Sequence, residues 1–422
     1  MHHFAYKNDE LYCEDVSVAY IAEQIGTPFY LYSYSTIKRH FMVFEDAFAD
    51  LDHLTCFSVK SNSNLAILRL LALEGGGADI VSGGELFRAM KAGIAPDKIV
   101  YSGVGKTPEE MEIALKSDIL MFNVESDQEL QTLSRIAEDI GCKATIAIRI
   151  NPDVKPKTHP YIATGFSENK FGIQIKDSLN TYALANRLKN IDVKGISCHI
   201  GSQLTDIDPF VEALQKLREL LKELKKMGFD IGFLNLGGGL GITYSDEKPP
   251  HPLEYARALN ETIGKTECTL ILEPGRVIIG NAGVLVTRTL YTKSTTNKRF
   301  IIVDAGMNDL IRPALYNSFH AVQPVKMTHS EMFPADLVGP ICETGDFLAK
   351  DREMPPFKSG DLVAIMSAGA YSFSMASNYN SRPRPAEVMV KGRLFSIIRS
   401  RETYDDLISG EVIPEFLGKN DG

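Results

Sequence analysis

The 422-residue chain carries 45 basic and 54 acidic side chains, and its net charge of −9 comes with no long block of either sign, which argues against a nucleic-acid partner. No apolar run approaches the ~20 residues needed to cross a bilayer, and the polar start from Met1 to Lys7 has no signal-peptide core, so no membrane association and a cytoplasmic address are expected. Six cysteines, at 13, 56, 142, 198, 268 and 342, are scattered with no C-x-x-C pair and no tight metal-like spacing, so neither a disulfide framework nor a metal site is indicated.

At this length two domains are the default. The N-terminal 31 residues precede the first clear strand and are expected to join a domain formed later in the chain, because termini commonly lie close together. The run from His53 to Lys60 is strand-like and ends on an ammonium, directly before the polar Ser61-Asn-Ser-Asn64. A lysine closing a strand is commonly a solvated gatekeeper; the other reading is a reactive amine. Further apolar runs follow at 77–82, 98–103, 119–124, 144–150, 194–200, 233–238 and 270–276. Between them, Asn64–Glu74, Gly84–Ala92 and Phe210–Met227 place apolar residues at helical spacing.

Eight strands alternating with helices over about 230 residues predict a (β/α)₈ TIM barrel, assigned to 32–280, with a doubly wound sheet as the alternative. The barrel is favoured because the runs end in residues capable of chemistry, among them Lys60, Ser82, Ser102, Asn123, Glu125, Asn151, His199, Ser202 and Glu273. Barrel enzymes build their active sites at that rim. After residue 281 the texture changes to strand-like runs at 283–293, 298–306, 335–339, 360–372 and 386–398, which predict an all-β C-terminal domain of 281–422 joined by 1–31.

Gly237, Gly238 and Gly239 after the seventh run, and Gly275-Arg276 after the eighth, stand where barrels bind phosphate through unhindered backbone N–H groups; an ordinary flexible turn is the plainer reading. Glu273 ends an apolar run, so its carboxylate needs a partner, either a salt bridge to Arg276 or the protonated nitrogen of a heteroaromatic cofactor. An imine-forming amine, a phosphate cradle and this carboxylate are together the three anchors that pyridoxal 5'-phosphate requires.

The motifs VKSN (59–62), SCHIGSQ (197–203), LGGG (236–239), EPGR (273–276), GPICETGD (339–346) and AGAY (368–371) resemble the barrel-fold pyridoxal-phosphate decarboxylases, the ornithine and diaminopimelate decarboxylase group. The resemblance spans almost the whole chain. The segment Asp304–Tyr316 is similar to the diaminopimelate branch of that group, and 168–173 (ENKFGI) departs slightly, lacking the serine expected before Lys170.

Carried over by motif, the resemblance implies Lys60 as the Schiff-base lysine and His199 stacked on the cofactor ring. It assigns Ser202, the glycine loop, Gly275, Arg276 and Tyr371 to the phosphate, Glu273 to the pyridinium and Asp79 to a supporting place beside the lysine. Arg276, Arg312 and Tyr316 suit a distal carboxylate, because a guanidinium grips carboxylate with two bonds. Tyr371 also belongs to the substrate side, and Glu343 would hold the distal ammonium. Cys342 would be the proton donor, reaching the site of the other subunit of a homodimer. The implied activity is decarboxylation of meso-2,6-diaminopimelate to L-lysine, with an amino-acid substrate and no metal. The alternatives are ornithine, arginine or carboxynorspermidine as substrate, or a catalytically silent regulatory relative.

Overall fold

The computed structural model describes residues 2–154, 169–264 and 266–418; Glu168, at the head of the segment that departs from the family pattern, lies outside them. Eight strands form the first layer: His53–Ser58, Gly77–Ile80, Ile99–Tyr101, Met121–Val124, Ala144–Asn151, Ile191–Ser197, Phe233–Asn235 and Thr269–Leu272. Each pairs parallel with the next, and the eighth pairs with the first, so the sheet closes on itself as the eight apolar runs predict. A doubly wound sheet would have left two open edges.

Side chains alternate across each strand, and the burial follows. Cys56, Val100, Met121, Ala147 and Ile271 form a small buried cluster of their own, the packed interior of the barrel. Their neighbours Phe57, Ile99, Tyr101 and Phe122 belong to the larger core between strands and helices. The helices after the first four strands begin at capped positions, where Asn64, Ser82, Thr107 and Ser126 accept backbone N–H bonds of the first turn. Such caps keep the strand-to-helix turns short, and those turns carry the candidate residues. The longest helix, Asp208–Lys226, buries Phe210, Leu214, Leu217, Leu221 and Leu224 at three- and four-residue spacing.

A second, mixed sheet is built around Gly283–Ser294. The N-terminal strand Phe29–Ser33 runs antiparallel to it and parallel to Ala386–Lys391, so an early segment of the chain lies inside the later sheet. Phe347–Met354 is a strand the sequence reading missed. It is an edge strand with Lys350, Asp351 and Glu353 exposed, so it shows no continuous apolar run.

The two parts meet at the barrel rim. The Tyr371 N–H donates to the Ser61 carbonyl at 2.8 Å, the Asn62 amide to the Gly369 carbonyl at 3.1 Å, and the Asn64 amide to Glu387 at 2.8 Å. A side chain at Gly369 would run into the Ile279 carbonyl, which is why this contact needs glycine. The turn that presents Lys60 is thus pinned by the loop that presents Tyr371. Among the described residues, no helix is long and apolar enough to cross a membrane.

Candidate active site

Lys60 sits in a single 3₁₀ turn, Val59–Ser61, at the end of the first barrel strand. A third of its side-chain surface is open to a cavity of about 480 Å³, which His199, Ser202, Arg276, Arg312, Tyr316 and Tyr371 also line. Its Nζ donates to Asp79 Oδ2 at 2.5 Å, and the Ser58 hydroxyl donates to the same oxygen at 3.0 Å. Asp79 is fully buried on the second strand. Burial alone would lower the Lys60 pKa, but the carboxylates of Asp79 and Glu273 hold it above the ordinary range. The ammonium must therefore hand over its proton before its nitrogen can attack a carbonyl.

Glu273 follows the eighth strand and is buried. Its Oε1 accepts from Asn235 Nδ2 at 2.6 Å and from Asn123 Nδ2 at 3.4 Å. Burial, then the charge of Asp79, raise its pKa against the pull of Lys60. No cation stands within ion-pair distance of it among the described residues. The salt bridge to Arg276 that sequence proximity allowed is not formed, because Arg276 turns to Ser202 and Tyr244 instead. A second cavity of about 160 Å³ is lined by Glu273, Lys60, His199, Ser102 and Arg149.

His199 comes from the end of the sixth strand. Its Nδ1 accepts the Gly238 N–H at 3.2 Å, so the ring proton lies on Nε2. Burial, followed by the charges of Arg149 and Lys60, holds the imidazole far below its usual pKa and keeps it neutral. The glycine loop is close-packed beneath it: a Cβ at Gly238 would run into the Glu273 carbonyl, and Gly237 and Gly239 have φ of +66° and +126°. Gly275 abuts Ser58 and Ser61.

Arg276 and Arg312, both buried, form the cationic part of the cavity. Arg276 donates to Tyr244 at 2.7 Å and to Ser202 at 3.0 Å, and its guanidinium carbon lies 4.7 Å from the centre of the Tyr371 ring. Arg312, from the short helix Arg312–Tyr316, donates to Tyr244 at 2.9 Å and lies 3.1 Å from His320 Nε2. Neither makes an ion pair with a carboxylate among the described residues.

Lys60, His199, Ser202, Arg276, Arg312, Tyr316 and Tyr371 are thus brought to one cavity, with Asp79 and Glu273 behind the amine. Cys342 and Glu343 are exposed and do not line it; the Cys342 N–H donates to Asn380 Oδ1 at 2.7 Å. Sequence reading missed Tyr244, His320 and Asn235. Tyr244 lies five residues beyond the glycine triplet on the same strand-end loop, which was the available signal. His320 and Asn235 gave none, because a histidine or asparagine at the edge of an apolar segment is normally a satisfied core residue.

The residues present fit pyridoxal phosphate. A buried carboxylate that forms no ion pair among the described residues suits a protonated pyridine nitrogen, an amine opens into the cavity, and two guanidiniums without carboxylate partners there, beside Ser202 and a close-packed glycine loop, suit an anion.

Comparison with known proteins gives the same assignment. Residues 34–280 match the family model described as the pyridoxal binding domain of pyridoxal-dependent decarboxylase. The chain is 52% identical over 404 residues to a diaminopimelate decarboxylase of Aquifex aeolicus, covering 96% of each, and 51% identical over 408 residues to one of Pseudomonas aeruginosa, covering 97% of this chain and 98% of the other. A crystal structure of diaminopimelate decarboxylase from M. jannaschii in co-complex with L-lysine superposes with a TM-score of 0.94 at 39% identity, covering 99% of this chain and all of the other. The chain belongs to the pyridoxal-dependent decarboxylase family.

Proposed function

We propose that this member of the pyridoxal-dependent decarboxylases converts meso-2,6-diaminopimelate to L-lysine and carbon dioxide, the last step of lysine biosynthesis. The observation that carries the substrate choice is the pair of buried guanidiniums, Arg276 and Arg312, which share a cavity with the Lys60 amine and pair with no carboxylate among the described residues. A substrate with a second carboxylate supplies what they lack. The names of the relatives and the lysine bound in a similar structure support the same reading.

Bound pyridoxal phosphate supplies the electron sink that lets the bond from the α-carbon to its carboxylate break. We assign the protein's part as follows. Lys60 would hold the cofactor through its amine, and Asp79, which accepts from Nζ, would orient that amine and take or return its proton. Glu273 would favour a proton on the cofactor's ring nitrogen, which deepens the sink. Neutral His199 would support the cofactor ring. Ser202, the loop Gly237–Gly238–Gly239, Gly275, Arg276 and Tyr371 hold the phosphate, while Arg276, Arg312, Tyr316 and Tyr371 hold the distal carboxylate.

We further infer a cytoplasmic homodimer, with Cys342 returning a proton to the α-carbon and Glu343 holding the distal ammonium in the neighbouring subunit's site. What supports this is that both are exposed and neither lines the cavity of its own chain. The barrel is assigned to 32–280, and the β unit to 1–31 with 281–422.

The activity is tested by analysing products after incubation with diaminopimelate, ornithine and arginine in parallel; lysine from diaminopimelate, and little decarboxylated amine from the other two, is expected. The shared site is tested by mixing Cys342→Ala and Lys60→Ala chains, each nearly inactive alone. Random exchange of two equal pools makes about half the dimers mixed, with one intact site each, and restores roughly a quarter of the wild-type activity. Failure to recover activity, when mass labelling shows that subunits exchanged, would overturn the composite site.

A further inference from the structure

Both buried guanidiniums converge on one oxygen. Arg276 Nη1 donates to the Tyr244 hydroxyl at 2.7 Å and Arg312 Nη1 at 2.9 Å, and the two guanidinium carbons lie 5.9 and 4.7 Å from the centre of its ring. The remaining partners of Arg312 are neutral as well: Ser318 Oγ at 3.4 Å and His320 Nε2 at 3.1 Å. The other nitrogen of His320 lies 2.8 Å from the Met366 carbonyl, which can only accept, so Nδ1 carries the proton and Nε2 is left as an acceptor. Burial and the Arg312 charge push the pKa of His320 down to about 3, which fixes that neutral form. Arg312 Nε, buried, has no partner among the described residues.

A carboxylate in this position would also hold the two arginines, but it would spend their charge on the protein itself. Neutral acceptors fix the geometry and leave the charge for a ligand. Tyr244 is itself held firmly: it is buried, and its N–H and that of Ser245 donate to Glu247 Oε2 at 2.9 and 2.7 Å. With both acceptor directions of its oxygen occupied by guanidiniums, its own O–H is the bond left to make, and the residue lines the cavity.

We propose that Tyr244 is a positioning residue for the distal carboxylate of the substrate, spacing Arg276 and Arg312 through one shared oxygen and offering its hydroxyl hydrogen as a further donor to that carboxylate. The proposal rests on the dicarboxylate reading above. It extends that reading to a residue on the seventh-strand loop, and it identifies the recognised group as a carboxylate at the end of an aliphatic chain. Phenylalanine at 244 would keep the packing, remove the shared acceptor and leave two like charges with nothing between them.

The test uses Tyr244→Phe and wild-type holoenzyme side by side. Five quantities are read: cofactor affinity, kcat and KM for diaminopimelate, and the Kd values of pimelate and of L-lysine. Pimelate has two carboxylates and no amine, whereas L-lysine lacks the distal carboxylate. Loss of hydrogen bonds to charged groups predicts a rise of about tenfold or more in KM for diaminopimelate and in Kd for pimelate. The kcat should stay within about threefold of wild type, since the bonds lost hold ground and transition states alike. Affinity for L-lysine should hold, and affinity for pyridoxal phosphate should fall by less than that for pimelate, because Arg276 keeps its bond to Ser202.

An unchanged KM, equal losses for pimelate and L-lysine, or pimelate that fails to bind the wild type would each overturn the proposal. So would a fall in affinity for pyridoxal phosphate as large as that for pimelate and absent for pyridoxal, which would assign the arginine pair to the cofactor phosphate alone. Wild-type enzyme that releases no carbon dioxide from diaminopimelate would overturn the decarboxylase reading, while the pimelate titration would still report on Tyr244.

Discussion

The amine part of the site and the guanidinium part line one cavity, yet their charges are handled in opposite ways. Around Lys60 the protein provides its own counter-charges, Asp79 at 2.5 Å and Glu273 nearby, so the cation is compensated before anything binds. The hydrogen-bond partners of Arg276 and Arg312 among the described residues are neutral hydroxyls and a neutral imidazole. Desolvated charge is costly, and a protein tolerates it uncompensated where a ligand completes the set. The first part is arranged to prepare a nucleophile and hold a cofactor; the second is arranged to wait for an anion.

The largest effect that would break this contrast is loss of the amine. Lys60→Ala should reduce turnover to background, because among the described residues no other lysine lines the cavity. Borohydride reduction of loaded wild type followed by peptide mapping should find the cofactor on Lys60, and an adduct elsewhere would refute the assignment. Glu273→Gln keeps the amide contacts but removes the charge. It should bind cofactor normally and lose about 10²- to 10³-fold in kcat, the scale of removing one electrostatic stabiliser. A wild-type kcat would make Glu273 structural.

Truncating the anion-receiving part should act on substrate choice. Arg312→Ala should cost at least about 2 kcal/mol in kcat/KM for diaminopimelate, as for one partner of a buried charge pair. Any residual activity on ornithine should change less, and equal losses on both would place Arg312 in the fold or the cofactor site.

The smallest expected effect concerns the neutrality of His320. Unfolded histidine takes a proton below about pH 6.5, whereas His320 in the folded chain does so only near 3. Between those values the unfolded state binds more protons, so stability rises with pH, by up to about 1.4 kcal/mol per pH unit from this one group. Urea titrations at pH 4 and pH 6 should show that slope reduced in His320→Gln, whose amide can still accept from Arg312. Parallel slopes in wild type and variant would mean that His320 is not held neutral.

Much of this site was legible in the chain because parallel strands alternating with helices force every strand to end on the same rim. Lys60, His199, Ser202 and Glu273 each close a strand-like run, so reading the runs was enough to bring them together. Arg312, Tyr316 and Tyr371 come from the β unit, and no periodicity connects them to the barrel; a motif resemblance located them. Two readings that the residues left open were decided only by packing. Lys60 is paired with a buried aspartate rather than free as a gatekeeper, and Glu273 is not bridged to Arg276 three residues on.

The sequence by itself determined eight strands alternating with helices and the strand-end position of the chemical residues, because periodicity and capping are local properties; pairing of the eighth strand with the first decided the barrel over a doubly wound sheet. Only the tertiary structure decided where the charges go. Whether Arg276 faces Glu273 or Tyr244, which tautomer His320 adopts and whether Arg312 meets an acid depend on side-chain directions and desolvation set by contacts between Tyr244, Arg312 and His320 across 76 positions of chain, from residue 244 to residue 320. No local pattern encodes such contacts, because burial penalises an unmatched charge only after the elements have packed.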